Sequence, residues 1–171
     1  DVKYFEKPIL DSQIENITSK YQIDTSKKII LYPARITNWK GQIEFLDIFN
    51  KIQNDNFLLY FAGDTKNQSY TEKLQKKIQS LNLSHKCKII GNLFRDDLKI
   101  LYHLSSIITL FPLQAEGFGR VISEALIMRK KILAFNYGGV KDQLDPLDDI
   151  YKVDPHKYND IDIKLQNILK L

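Results

Sequence analysis

Five short apolar runs constrain this chain more than any other feature: KIILY (28–32), FLLYFA (57–62), CKIIG (87–91), IITLF (107–111) and KILAF (131–135). Each is nearly continuous in apolar side chains rather than alternating, the pattern of parallel strands covered on both faces. Between them, GQIEFLDIFNKIQ (41–53), YTEKLQKKIQSLNL (70–83), DDLKILYHLSS (96–106) and GRVISEALIM (119–128) repeat apolar residues every three or four positions, as helices with one buried face do. Asp96 or Asp97 would cap the third of these helices. Strand and helix alternating over short connections predict an α/β fold, a doubly wound parallel sheet with helices on both faces and right-handed crossovers. A weaker strand around 151–153, a last helix from Asn159 and a helix over 12–21 extend the pattern.

Length and composition narrow the reading. With 171 residues, 43% of them apolar, the chain suits one core. Residues 1–24 therefore read as a leading segment with a helix, and 25–171 as the domain itself. The start at Asp1 rather than methionine suggests a piece of a longer protein. The net charge of +4 comes from 25 basic and 21 acidic residues mixed along the chain, without the basic stripe of a nucleic-acid binder. Cys87 is the only cysteine, so no intrachain disulfide is possible, and a reducing, cytoplasmic setting is expected. His85, His103 and His156 are scattered without ligand spacing, so no metal site is expected. No apolar run approaches the roughly 20 residues of a membrane span.

Open parallel sheets bind ligands beyond the carboxyl ends of their strands, so the residues following each run are the place to look. After the first come Ala34, Arg35, Trp39, Lys40 and Gly41; after the second, Gly63 and Asp64; after the third, Gly91, Leu93, Phe94 and Arg95. The fourth leads into Glu116, Gly117, Phe118 and Gly119, and the fifth into Gly138 and Gly139. This concentration of glycine at one edge lets a ligand approach the backbone. In EGFGRVISEAL (116–126), glycines stand where loop becomes helix, and the free N–H groups of a helix start attract anionic oxygens. Glu116 and Glu124 would repel an anion but suit hydroxyls, whereas Arg35 and Lys40 suit a diphosphate. Sugar hydroxyls, a diphosphate and a ribose together describe a nucleotide-sugar. Each residue also has a plain structural reading. Glu116 can be a dipole-favoured helix-start residue, Glu124 a solvent-facing one, and Arg35 and Lys40 solvated charges. Gly138 and Gly139 can be a turn, Phe118 an anchor in the core, and Trp39 a cover for its loop.

The ordered set LYPARITNWKGQIEFLDIF, FLLYFAGD, KIIGNLFRDDLKILYHLSSIITLFP, EGFGRVISEAL and AFNYGGVKDQL resembles the C-terminal, donor-binding domain of family 4 retaining glycosyltransferases of the GT-B fold, over residues about 25 to 155. EGFGRVISE is similar to that family's signature of two glutamates separated by seven residues. The resemblance implies a Rossmann-like half of a GT-B enzyme in which Glu116 contacts the transferred sugar and Glu124 the ribose. It implies that Arg35 and Lys40 hold the diphosphate and stabilise the leaving group. Gly117, Phe118 and Gly119 would complete the cradle, Phe94 and Arg95 would border the base, and Gly63 would lie at the donor site. The implied enzyme is a metal-independent hexosyltransferase without cofactor, using a nucleotide-sugar donor and a glycan or lipid acceptor. An N-terminal domain of the same protein would supply the acceptor site and any association with the inner face of a membrane, so this half alone would bind without efficient turnover. Ala34, Leu113, Arg129 and Lys131 depart from the family's usual glycine, serine, glycine and proline, and PLDDIYKVDP lacks its common glycine.

Two other classes remain in view. A non-catalytic nucleotide- or phosphate-binding regulatory module would share the fold and the basic loop without needing Glu116. A nicotinamide-dependent dehydrogenase is disfavoured because PARITNWKG, not a G-x-G-x-x-G fingerprint, follows the first run. Arg35 stands where a flavodoxin-like signalling domain would need acidic residues.

Overall fold

The computed structural model describes residues 2–52, 54–156 and 160–170. The apolar runs become strands β1 (Lys28–Pro33), β2 (Phe57–Ala62), β3 (Cys87–Gly91), β4 (Ile107–Leu110) and β5 (Lys131–Phe135), joined by a short β6 (Lys152–Val153). All pair in parallel, in the order β3-β2-β1-β4-β5-β6. The chain winds outward from β1 through β2 to β3, crosses back to β4 and then winds the other way. That reversal places a topological switch point between β1 and β4.

Helices fill both faces, as the periodicity requires. On one lie α3 (Gln42–Phe49), α4 (Gln68–Ser80) and α8 (Ile161–Lys170). On the other lie α1 (Val2–Glu6), α2 (Asp11–Tyr21), α5 (Arg95–Leu104) and α6 (Arg120–Ile127), while a short α7 (Lys141–Leu144) follows β5. The local causes are readable in α4, where the Asn67 side chain accepts from the Tyr70 N–H at 3.1 Å and caps the first turn. Tyr70, Leu74 and Ile78, four apart, then form its buried stripe. Under the carboxyl edge of the sheet, Phe111 stacks on Phe45 with centroids 5.1 Å apart and meets Phe135 edge-on at 5.0 Å. Burying each such ring contributes about 1.5–3 kcal/mol, which anchors the floor of this edge.

Three expectations need correction. CKIIG is less buried than the other runs: β3 is the sheet's edge, with a neighbouring strand on one side alone, and beyond Cys87 its residues are only half-buried. Neither Asp96 nor Asp97 caps α5, whose N-cap is Phe94 and whose first turn holds both aspartates. They are drawn to the leading segment instead: Asp96 accepts from the Tyr4 hydroxyl, and Asp97 from Lys20 at 2.8 Å and Tyr21 at 2.6 Å. The segment 41–53 is helical only over Gln42–Phe49, and Gln53 lies outside the described residues, as does Asn159, the expected start of the last helix.

Candidate functional site

Two loops meet above the switch point, one following β1 and one following β4. Tyr32, fully buried at the end of β1, ties them together. Its hydroxyl oxygen accepts from the Phe111 N–H at 2.8 Å, and the hydroxyl donates to the Lys40 carbonyl. A second link is the Leu113 N–H to the Trp39 carbonyl, 2.8 Å. Burial raises the Tyr32 phenol well above the usual tyrosine range, so it remains a donor. The two loops are thus fixed to each other before any side chain on them is considered.

Lys40 and Glu116 then form an ion pair across the crevice, joining residues 76 apart in the chain. Their side chains are only 10% and 13% exposed. The Lys40 ammonium also lies 4.0 Å from the centre of the Trp39 ring, and the Arg35 guanidinium lies 5.6 Å from the same ring. Trp39 therefore holds both cations on the loop by cation–π attraction, more than covering it. Lys40 is 8% exposed, whereas Arg35 is exposed and free of ion pairs among the described residues.

The loop after β5 supports the glutamate loop from below. The Gly139 N–H donates to the Glu116 carbonyl at 2.8 Å, and a Cβ on Gly139 would stand 2.0 Å from the Gly117 carbonyl oxygen. Only glycine allows that approach. Gln143 closes the arrangement: its amide donates to the Phe118 carbonyl and, at 3.4 Å, to that of Gly139, while accepting from Ser123 at 2.5 Å. Gly119 is the N-cap of α6, so the unpaired first-turn N–H groups open onto this loop. Phe118 is 63% exposed and is not a core anchor. Farther along α6, Glu124 is half-buried and accepts from the Tyr102 hydroxyl at 3.0 Å.

Arg35, Lys40 and Glu116 are brought together around Trp39, and Gly117, Phe118, Gly119 and Glu124 continue from them on one loop and helix. Gly63 is accounted for differently, since a Cβ there would stand 2.0 Å from the Ala34 carbonyl oxygen, where the β1 and β2 loops touch. Arg95 turns its guanidinium onto the Tyr4 ring at 3.9 Å, while Phe94 is 79% exposed on the loop before it. Nothing local in the sequence singles out Tyr32, Tyr102 or Gln143. The tyrosines sit in apolar runs and read as core; Gln143 follows a short loop with no periodic signal. Chemically, the edge offers two cations and a helix N-terminus for an anion, flanked by carboxylates that accept from hydroxyls.

The family model described as "Glycosyl transferases group 1" matches residues 13–171. A trehalose synthase of Thermococcus litoralis is 25% identical over 144 residues, covering 78% of this chain and 34% of that protein. A lipopolysaccharide 1,2-N-acetylglucosaminetransferase of Salmonella typhimurium is 25% identical over 134 residues, covering 75% of this chain and 35% of its own length. The chain thus spans about a third of these curated relatives. A crystal structure of a glycosyltransferase from Rickettsia africae superposes with a TM-score of 0.90 at 27% identity, over 99% of this chain and 45% of that one. HepE of Anabaena, in complex with UDP and glucose, shares the fold with a TM-score of 0.78 at 21% identity, over 99% of this chain and 44% of that one.

Proposed function

The chain belongs to the glycosyl transferases group 1 family, and from that premise we propose that it is the C-terminal, donor-binding part of a retaining, metal-independent family 4 transferase that moves a hexose-type sugar from a nucleoside diphosphate to a glycan or lipid acceptor. The observation that carries this reading is the meeting of Lys40 and Glu116 at the switch point, with Arg35 on the same aromatic ring. A diphosphate arriving there competes with Glu116 for Lys40 and adds Arg35 and the α6 N-terminus as partners. Glu116, once released, is an acceptor for sugar hydroxyls, and Glu124 is one for a ribose. As the sugar–phosphate bond breaks, negative charge grows on the departing diphosphate, and cations fixed in place beforehand stabilise it without reorganising. Acceptor contacts belong to the remaining length that the relatives have and this chain does not, so the chain alone binds donor without efficient turnover. In this reading the activity is cytoplasmic, at the inner face of a membrane if the acceptor is a lipid.

The test is thermal denaturation in a panel of UDP-, GDP-, ADP- and TDP-sugars, with and without EDTA. UDP-glucose comes first because a HepE structure of the same fold holds it. A ligand at about 100 times its Kd stabilises the fold by about 2.7 kcal/mol. One nucleotide class raising Tm equally in EDTA supports the reading. No response from any donor refutes it, and a response to free phosphate or to nucleotides without regard to sugar favours a regulatory module.

A further inference from the structure

Tyr102 is a fully buried side chain on α5, in the core between that helix and the sheet. A phenylalanine would fill the same space, and burying a hydroxyl is costly unless it is bonded, so the oxygen's partner matters. That partner is the Glu124 carboxylate, whose Oε2 accepts at 3.0 Å; the Val121 carbonyl, at 3.5 Å, is at the limit of hydrogen-bond length. Burial, and then the neighbouring Glu124 charge, raise the Tyr102 phenol well above the usual tyrosine range, which keeps it a donor at any working pH. Among the described residues the Glu124 carboxylate has no other hydrogen bond and no ion pair. Arg120, one turn before it, is exposed, and its charge is the least of the influences on the Tyr102 phenol.

From this geometry we infer that Tyr102 is a positioning residue: its hydroxyl fixes Oε2 of Glu124 so that Oε1 faces outward to accept from a vicinal diol. The inference rests on the reading of Glu124 as the acceptor for ribose hydroxyls. Its energetic sense is that a half-exposed glutamate on a helix otherwise samples several rotamers and loses that freedom on binding. A buried, immobile donor removes part of this loss beforehand. Replacing Tyr102 should therefore weaken recognition of the diol and leave the rest of the nucleotide untouched.

The experiment is calorimetric titration of the protein with UDP and 2′-deoxy-UDP, and with GDP and 2′-deoxy-GDP in parallel, for wild type, Tyr102→Phe, Glu124→Gln and the double variant. Wild type is expected to prefer the ribonucleotide. Glu124→Gln should abolish that preference. Tyr102→Phe should reduce it by about five- to tenfold, the size of an ordinary hydrogen bond's net contribution. Its affinity for the deoxynucleotide should stay within about twofold, and the double variant should match Glu124→Gln. Both nucleotides are titrated into the same preparation, so any unfolded fraction lowers both alike and cancels in the ratio; melting curves report stability separately. If Glu124→Gln abolishes the preference and Tyr102→Phe leaves it intact, Tyr102 is a core residue only and the inference is overturned, with the donor-binding reading standing. If wild type shows no preference, or Glu124→Gln keeps it, the ribose role of Glu124 falls and takes the inference with it.

Discussion

Lys40→Met and Glu116→Gln, alone and together, probe the crevice at its centre. Each keeps the shape of the side chain while removing its charge. The pair is about nine-tenths buried, with side-chain exposures of 10% and 13%. Removing one member of a buried pair costs about 3–5 kcal/mol, because the other charge is left without a partner in a poor solvent. Trp39 still faces a lone Lys40 at 4.0 Å, and the crevice mouth admits some water, so the lower end, about 3 kcal/mol, is expected for either variant. In a chain of this size that lowers Tm by roughly 6–12 °C. The double variant leaves no orphaned charge and should lose only about 1 kcal/mol, because replacing a buried pair by neutral groups is often nearly neutral. Urea denaturation of all four proteins measures the coupling directly. Additive losses, with the double variant least stable of all, would refute the argument that the two charges compensate each other.

Arg129 and the buried tyrosines give two further tests. Arg129 follows α6 with φ of +53°, and the bonds Arg129 N–H to Leu126 and Lys130 N–H to Ala125, both 2.9 Å, close the helix in a Schellman turn. Arg129→Gly should raise stability by about 1 kcal/mol in urea titration, since a left-handed residue with a Cβ costs about that much; an unchanged or lower midpoint would contradict it. Burial raises Tyr32 and Tyr102 and pushes Tyr70 up to about 12, whereas tyrosines of the unfolded chain ionise near 10. The folded state holds these protons more tightly, so stability is intact below about pH 10 and falls as pH rises toward 12. Urea midpoints that stay flat from about pH 9 to pH 11 would show that these phenols are not held by the fold.

The strands were legible because FLLYFA and its counterparts are short, continuous apolar runs set between longer helical periods. The carboxyl edge followed as the place to look, but which of its loops meet waited on the strand order, which puts the switch point between β1 and β4. Legibility ended where partners are distant in sequence. Asp96 and Asp97 read as caps because a carboxylate near a helix start usually is one, but their partners Tyr4, Lys20 and Tyr21 come from the leading segment, and Tyr4 is 92 residues from Asp96. VKYFE is too short for periodicity, and its helix α1 is held by Arg95 and Lys99 of α5 rather than by its own propensity. Tyr102 fits the apolar stripe of DDLKILYHLSS, and nothing local reveals that its hydroxyl ends at Glu124. The family resemblance puts a glycine where Arg129 stands, and the positive φ of Arg129 shows that the turn persists at the cost of strain.

The central claim is that Glu116 and Glu124 divide one ligand between them, and calorimetry of a nucleoside diphosphate and its intact sugar donor against Glu116→Gln and Glu124→Gln tests it most directly. Glu124→Gln should weaken both ligands, because both contain ribose. Glu116→Gln should leave the diphosphate bound as well as in wild type, or more tightly because Lys40 is freed, while the donor loses the extra affinity its sugar provides. Equal losses of diphosphate affinity in the two variants, with the sugar's contribution unchanged in both, would contradict the account.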